Sequence, residues 1–359
     1  FWGIFGTVGI ATGFLILTFY STIGGWCVAY AVDAAMGNGI ITDLSQLGAH
    51  FNQFASDPVL GIFYQIVFMI MTAGVVIFGV QAGIERLAKY LMPTLFILMI
   101  ILIIRGLTLP GAWQGVEFMF SFNWEQFNAD SLFNAMGFCF FSLSVGAGTL
   151  IVYASYLSDE ANLPHSTAWV AFLGILAALL GGLMVMPAVF AFGLEPTAGP
   201  GLTFVTMPAV FAHMPFGTFF ALLFYICLIV AAITSSVSIF EAVVAAMGDL
   251  HVSRRTAVPV AFISIMVIGV FCTMSFGPLA DFKIFGKTVF DLLDYLTSNV
   301  GMPLTALGLA IVAAWVNWPE TRKQLTVSCP LSNTMLTVIR LGIGIISPIV
   351  IITVVARSI

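Results

Sequence analysis

Hydrophobic residues dominate this chain in long blocks, and shorter polar connections separate the blocks. A helix needs about 20 mostly apolar residues to cross a bilayer, and about nine blocks reach that length. Several are long enough to tilt or break. The predicted spans are roughly 6–33, 59–81, 90–108, 133–156, 166–193, 217–248, 256–277, 288–315 and 333–355. The stretch Leu194–Met214 begins rich in Pro and Gly and then turns apolar, which is compatible with a lid that dips back towards the protein.

The fourth predicted span contains an unusual run, Phe140–Gly148, with two serines and two glycines among apolar residues. Gly costs about 1 kcal/mol in a helix interior, and peptide groups without partners cost several more in lipid. Non-helical backbone at membrane depth is tolerated where it lines a polar cavity, and secondary transporters use such breaks to hold substrates and ions. Close helix packing through small residues is the alternative, and the sequence leaves both open.

The sixth predicted span carries a polar face. Ala231, Thr234, Ser235 and Ser238 are spaced i, i+3, i+4 and i+7, so they share one side of a helix, and Ile239 continues that side. Two hydroxyls and a carbonyl beside a small residue make a partial oxygen cage for a hard cation. Alternatively, the hydroxyls bond back to carbonyls of their own helix and bend it.

Four other side chains are notable because of their depth in the predicted spans. Tyr20 follows Ile16 by one turn, and a Tyr hydroxyl at membrane depth needs a partner, either a substrate carboxylate or a neighbouring backbone group. Asp294 lies near the outer end of the eighth span. There it is either the acidic partner in an ion pair that forms a gate or a solvated carboxylate at the end of a helix. Glu241 is a functional candidate by default if it is buried in the membrane, unless it reaches the inner water layer.

Composition supports an all-α polytopic membrane protein. Hydrophobic residues make up 60% of the chain and charged residues 8%, against about 25% charged in soluble domains. The mean hydropathy is +1.10. No basic tract indicates a nucleic-acid partner, and no nucleophile–base or metal-binding motif indicates an enzyme. Lys and Arg are biased to the loops after the second, sixth and eighth spans, which predicts that these loops are cytoplasmic.

These residues together resemble the neurotransmitter:sodium symporter family in its bacterial form, with the leucine-transporter-type inverted-repeat fold. The resemblance runs through essentially the whole chain. The matching motifs are Phe140–Gly148 with Tyr153–Tyr156 (unwound sixth helix), Ala231–Ser236 (eighth helix), Tyr20 with Trp26 (third helix), Gly79–Arg86 (an inner loop) and Gly193–Gly201 (a long outer loop).

The resemblance has a consequence for domain organisation. It implies that residues 1–359 are one transmembrane transporter domain whose spans correspond to helices three to eleven of the family fold. We expect the N-terminal helices one and two, which supply part of the ion and substrate sites, to be absent from these residues. Transport is therefore expected of the intact parent protein.

The resemblance also implies a set of site residues. The implied substrate-binding residues are Ile16, Tyr20, Phe141, Ser142, Ser144, Ala147, Ser235 and Ile239. Ser142 is expected at a first sodium site, and the Ala231 carbonyl, Thr234 and Ser235 at a second. The implied gate residues are Tyr20, Phe141 and Asp294.

Two departures from the family pattern change these expectations. Some members carry a bulky aromatic residue where this chain has Ala147, so a roomier pocket is expected, favouring larger apolar or aromatic amino acids. The seventh family helix usually offers a polar residue to the first sodium site or to chloride, and the corresponding stretch 172–177 has no polar side chain. The first sodium site and any role for chloride are therefore left open, and the second sodium site is better supported.

The expected function is sodium-coupled symport of apolar or aromatic L-amino acids by alternating access, in the bilayer of the cell inner (plasma) membrane. The expected partners are an amino acid, the sodium ion and lipid, with no nucleic acid. Two alternatives remain at this point: an amino-acid-binding sensor or degenerate member that does not transport, and a channel-like ion pathway.

Overall fold

The computed structural model describes residues 2–37, 44–121, 124, 127–194, 196, 199–328 and 330–358. Part of the outer run 193–201 thus lies outside the described residues, since Glu195, Thr197 and Ala198 are not among them. The α-helices are α1 Gly3–Met36, α2 Leu44–Ser56, α3 Pro58–Val76, α4 Arg86–Leu107, α5 Trp113–Phe120, α6 Ala129–Ser142, α7 Thr149–Ser155, α8 Leu163–Ala191, α9 Gly199–Gly201, α10 Met207–His213, α11 Gly217–Asp249, α12 Arg254–Met274, α13 Val289–Tyr295, α14 Met302–Ile311, α15 Trp318–Thr326, α16 Asn333–Leu341 and α17 Ser347–Ser358. Wider π-helical turns occupy Val80–Glu85, Leu202–Thr206, Leu296–Gly301, Val312–Val316 and Gly342–Ile346.

Local chemistry sets several helix starts. The Asp57 carboxylate accepts the backbone N–H groups of Val59 at 2.9 Å and Leu60 at 3.2 Å, and Pro58 occupies the first helical position, where its missing N–H is not needed. Asn128 caps α6 in the same way, accepting the N–H of Ser131 at 2.9 Å. Such caps give α3 and α6 defined starting points.

The spanning helices agree with the predicted all-α polytopic fold. Within the described residues, eight helical segments are long and apolar enough to cross a membrane. The predicted fourth span, 133–156, differs: it consists of α6 and α7, separated by residues 143–148, and neither piece is long enough to cross alone. The break predicted from the Ser- and Gly-rich run is therefore present.

Helix α1 lies at the centre and packs against α3, α11, α12 and α14. A buried polar network joins three of these helices. The Gln65 side-chain amide of α3 donates to the Ser21 hydroxyl of α1 at 2.9 Å, and the Thr273 hydroxyl of α12 donates to the Gln65 carbonyl oxygen at 2.9 Å. Satisfied buried networks specify one arrangement of the helices that carry them, so α1, α3 and α12 form a defined scaffold for the broken segment.

The segment 202–213 returns to the protein interior, as its apolar residues suggest. Phe204 is buried, with its ring centroid 5.6 Å from that of Trp26. The Tyr30 hydroxyl donates to the Phe204 carbonyl at 3.2 Å, and the Tyr225 hydroxyl donates to the Thr203 carbonyl at 3.0 Å. This segment is thereby fixed against α1 and α11.

Candidate functional site

The backbone between α6 and α7 makes an irregular turn with three residues in the left-handed region. Gly146 has φ 96° and Gly148 has φ 78°. Ser144 has φ 52° although it carries a side chain, which is unfavourable for an L-residue. Strain of this kind persists where the surrounding structure enforces it and is concentrated at functional sites. The turn is therefore the first candidate for a binding site.

Two glycines, one on α1 and one in the turn itself, allow this turn to lie close to its neighbours. A Cβ atom on Gly13 of α1 would lie 2.6 Å from the Ala147 carbonyl oxygen, and one on Gly146 would lie 2.2 Å from the Met302 carbonyl oxygen of α14. The small residues thus permit both an unwound turn and close packing.

A cavity of about 160 Å³ lies against the turn, between α1, α11 and α14. The structure brings all eight residues expected to bind substrate to this single cavity and adds Met302. Its lining residues are Ile16, Tyr20, Phe141, Ser142, Ser144, Ala147, Ser235, Ile239 and Met302. We call it the central cavity.

The central cavity is amphipathic. Tyr20 of α1 and Ser235 of α11 both line the cavity, so hydroxyl-bearing side chains of these two helices meet there. Ile16, Ala147 and Ile239 are buried and provide an apolar wall. A mostly apolar lining with a few placed polar groups is typical of small-molecule sites. The arrangement suits a small ligand with one polar and one apolar end.

Two hydroxyls on the polar face of α11, those of Thr234 and Ser238, form hydrogen bonds to carbonyl groups of the same helix. The Thr234 hydroxyl donates to the Ala231 carbonyl at 2.9 Å, and the Ser238 hydroxyl donates to the Thr234 carbonyl at 3.0 Å. Ser238 also pairs with Tyr153, whose hydroxyl donates to it at 2.7 Å. Because Thr234 donates its proton, both of its oxygen lone pairs stay available to a cation, while the Ala231 carbonyl keeps one of two. The local bonds are compatible with cation binding.

Three of the four predicted cation ligands line two adjoining cavities, and the fourth, Thr234, lines neither of them. Ser142 and Ser235 line the central cavity, whereas Ala231 lines a cavity of about 350 Å³ towards Gly199 and Phe204. Tyr20 lines both cavities. A ligand contacting Tyr20 would therefore be close to both groups of oxygens.

Asp294 does not line the central cavity. Its carboxylate is exposed and accepts the Ser298 hydroxyl at 3.1 Å. Ser298 in turn lines a larger cavity of about 650 Å³ between α6, α14 and α17, which we call the outer cavity. In the part of the chain that the structure describes, no Lys or Arg side chain forms an ion pair with Asp294.

Glu241 has partners that sequence reasoning missed. Its side chain is fully buried and pairs with Arg254, which donates from both terminal guanidinium nitrogens, one at 3.1 Å. The Tyr156 hydroxyl also donates to Glu241 at 2.9 Å, and Arg254 Nε donates to the Val76 carbonyl at 2.8 Å. This network joins α11 to α12, α3 and the end of α7. The sequence analysis used the basic residues of this loop only to predict which side of the membrane it faces. The short separation of 13 residues between Glu241 and Arg254 was the one feature of the sequence that could have suggested their ion pair.

The part of α8 beside the turn offers no polar side chain. A Cβ atom on Gly174 would lie 3.6 Å from Leu143 of the turn. Phe172 and Leu173 are exposed on the helix surface. The absence of a polar residue in the 172–177 stretch therefore falls at the position where α8 contacts the break.

Apolar spanning helices, an interrupted helix and an amphipathic cavity at the interruption define a multi-pass membrane transporter of the broken-helix type. The family model described as the sodium:neurotransmitter symporter family matches residues 59–359. The chain belongs to this family, whose members are transporters and not enzymes, and it is a multi-pass protein of the plasma membrane that couples transport to sodium.

Similar proteins agree with this assignment. The uncharacterized sodium-dependent transporter YhdH of Bacillus subtilis is 40% identical over 311 residues, covering 86% of this chain and 69% of that protein. An uncharacterized sodium-dependent transporter of Haemophilus influenzae is 36% identical over 332 residues, covering 91% and 73%. The crystal structure of MhsT in complex with L-phenylalanine matches with a TM-score of 0.90 and 36% identity, covering 100% of this chain and 81% of that one. The leucine-transporter-type fold expected from the sequence is thus confirmed.

Proposed function

We propose that this protein is a symporter that uses sodium to move apolar or aromatic L-amino acids by alternating access. The observation that carries the proposal is the central cavity, where the hydroxyl-bearing Tyr20 and Ser235 lie beside an apolar wall at a broken helix. A ligand with a charged end and an apolar side chain fits that division. The similarity to MhsT, a protein solved with L-phenylalanine, supports the same substrate class.

In this proposal the amino acid binds across the cavity. The Tyr20 hydroxyl donates to the substrate carboxylate, and backbone groups of the turn contact the polar end. Ile16 and Ile239 contact the side chain, and Ala147 leaves room for a large one. Phe141 is 44% exposed and covers the cavity on its outer side.

Sodium binding is assigned to the α11 side. The Ala231 carbonyl, Thr234 and Ser235 contribute this chain's part of a second sodium site, and Ser142 contributes to a first. Because the stretch 172–177 has no polar side chain to offer to the first site, we assign the main coupling role to the second site. A potential of about 100 mV supplies about 2.3 kcal/mol per charge, so one sodium ion supports roughly a 50-fold substrate gradient.

Alternating access requires closure on each side in turn. We propose that Glu241, Arg254 and Tyr156 form the inner closure, because their buried network ties the end of α7 to α11 and α12. Phe141 and Asp294 act on the outer side. We further propose that residues 1–359 form one transmembrane domain whose spans correspond to helices three to eleven of the family fold.

The experiment is uptake of a panel of labelled L-amino acids by the full-length protein in proteoliposomes, with and without an inward sodium gradient. Saturable uptake of apolar or aromatic amino acids that needs the gradient is expected. Sodium-dependent binding without uptake would indicate a sensor. The absence of a polar side chain in the stretch 172–177 is the feature that favours this alternative. A conductance that does not saturate with amino acid would indicate a channel-like pathway.

A further inference from the structure

The central and outer cavities share a wall made of two side chains. Two residues, Phe141 and Met302, line both cavities. Phe141 was expected from the family resemblance to be a gate residue. Met302 comes from α14, which lies more than 150 residues further along the chain, and it is only 2% exposed. Met302 is therefore a buried residue at the boundary between the two cavities.

The backbone of Met302 is held rigidly on two sides. The preceding π-helical turn ends at Gly301, where a Cβ atom would lie 2.3 Å from the Thr12 hydroxyl oxygen of α1. The Met302 carbonyl lies so close to Gly146 that a Cβ there would be 2.2 Å away. Close contacts to α1 and to the turn thus fix where the side chain starts. The side chain itself has three rotatable bonds and a polarizable sulfur, and Met adapts to irregular spaces for this reason.

Met302 and Ala147 belong to the same buried cluster. Ala147 alone would leave space in the central cavity, and the Met302 side chain is the adaptable group on the facing helix. We propose that Met302 determines substrate size, an inference that rests on the proposed function. Its thioether bounds the space left open at Ala147 and contacts the ring of an aromatic substrate that occupies this space. Sulfur–aromatic contacts of this kind are favourable.

The test is equilibrium binding of L-phenylalanine and L-leucine to the purified full-length protein in saturating sodium. Met302→Phe fills the space, so the Kd for L-phenylalanine should rise at least tenfold relative to that for L-leucine, the range expected for volume changes in an apolar pocket. Met302→Leu keeps the volume and is tolerated best in a packed interior. It removes the sulfur, so the preference for L-phenylalanine should fall about two- to tenfold. Met266→Leu, buried in α12 and absent from the lining of both cavities, is the matched control and should keep the wild-type ratio.

A ratio of the two affinities within twofold of wild type, in either Met302 variant that binds, would overturn the proposal. An equal loss of both amino acids in Met302→Leu is one form of this result and would give Met302 a merely structural role. A wild-type protein that binds neither amino acid in sodium would instead remove the proposed function on which the inference rests, and the control identifies that case because Met266→Leu would also fail to bind.

Discussion

The turn between α6 and α7 is most directly probed by giving Gly146 a side chain. In Gly146→Ala, the residue at φ 96° would be forced to hold a Cβ in the left-handed region, which costs about 1–2 kcal/mol. The new Cβ would lie 2.2 Å from the Met302 carbonyl oxygen and 2.8 Å from its Cα. Relief needs movement of backbone, and overpacking of this kind costs about 1–3 kcal/mol. The expected loss is therefore about 2–5 kcal/mol in the free energy of unfolding.

The assay is reversible unfolding in mixed micelles titrated with a denaturing detergent, alongside sodium-dependent amino-acid binding. Gly148→Ala should lose less, because its φ is 78° and its Cβ would lie 3.0 Å from the nearest backbone atoms. Gly181→Ala is the matched control: it lies within α8 with nothing within 4 Å, so it should be neutral or gain up to about 1 kcal/mol. Wild-type stability and binding in Gly146→Ala would refute the packing of the turn described above.

Four further substitutions test single roles. Tyr20→Phe removes the hydroxyl assigned to the substrate carboxylate and should weaken amino-acid binding about tenfold, measured by equilibrium binding in sodium. Ala147→Phe fills the central cavity and should shift preference towards smaller amino acids in a competition panel. Ser235→Ala removes a sodium ligand and should raise the sodium concentration for half-maximal binding several-fold. Glu241→Gln removes the charge partner of Arg254 and should destabilise the protein by about 1–3 kcal/mol in the same unfolding titration. The cost is below that of a fully buried pair because the Arg254 side chain is 31% exposed.

Each of these has a contrary outcome. Unchanged substrate affinity in Tyr20→Phe would remove its carboxylate role, and an unchanged sodium titration in Ser235→Ala would count against the α11 ion site. The same selectivity profile in Ala147→Phe would contradict its place in the substrate wall. For Glu241, Glu320→Gln is the control, because that carboxylate pairs with Lys323 at 3.4 Å on an exposed helix and should contribute little. Equal effects of the two Gln variants would contradict the inner closure.

Much of the fold was accessible from the sequence because the membrane imposes a simple rule. Apolar blocks of spanning length predicted the long helices, and the Ser- and Gly-rich run 140–148 predicted the interruption. The detailed geometry of the same run could not be predicted from the sequence. The two serines and two glycines indicated that the helix was disturbed there, but the strained φ of Ser144 and the contact of Gly146 with Met302 depend on neighbours distant in sequence.

The candidate site divides in a similar way. Motif resemblance named eight residues that the structure places around one cavity, because short local patterns such as 231–236 carry that information. Met302 has no such pattern: an isolated Met in an apolar helix resembles any core residue until α14 is packed against the turn. The partners of Glu241 were missed for the same reason, since Tyr156 and Val76 meet it only through tertiary packing.

The central claim is that the cavity at the broken helix holds the transported amino acid. A cryo-EM structure of the full-length protein with L-phenylalanine and sodium tests it most directly. The account predicts ligand density between Tyr20 and Ala147, with the carboxylate within hydrogen-bonding distance of the Tyr20 hydroxyl and the ring against Met302. Density confined to the outer cavity, or an empty central cavity in a preparation that takes up L-phenylalanine, would contradict the claim.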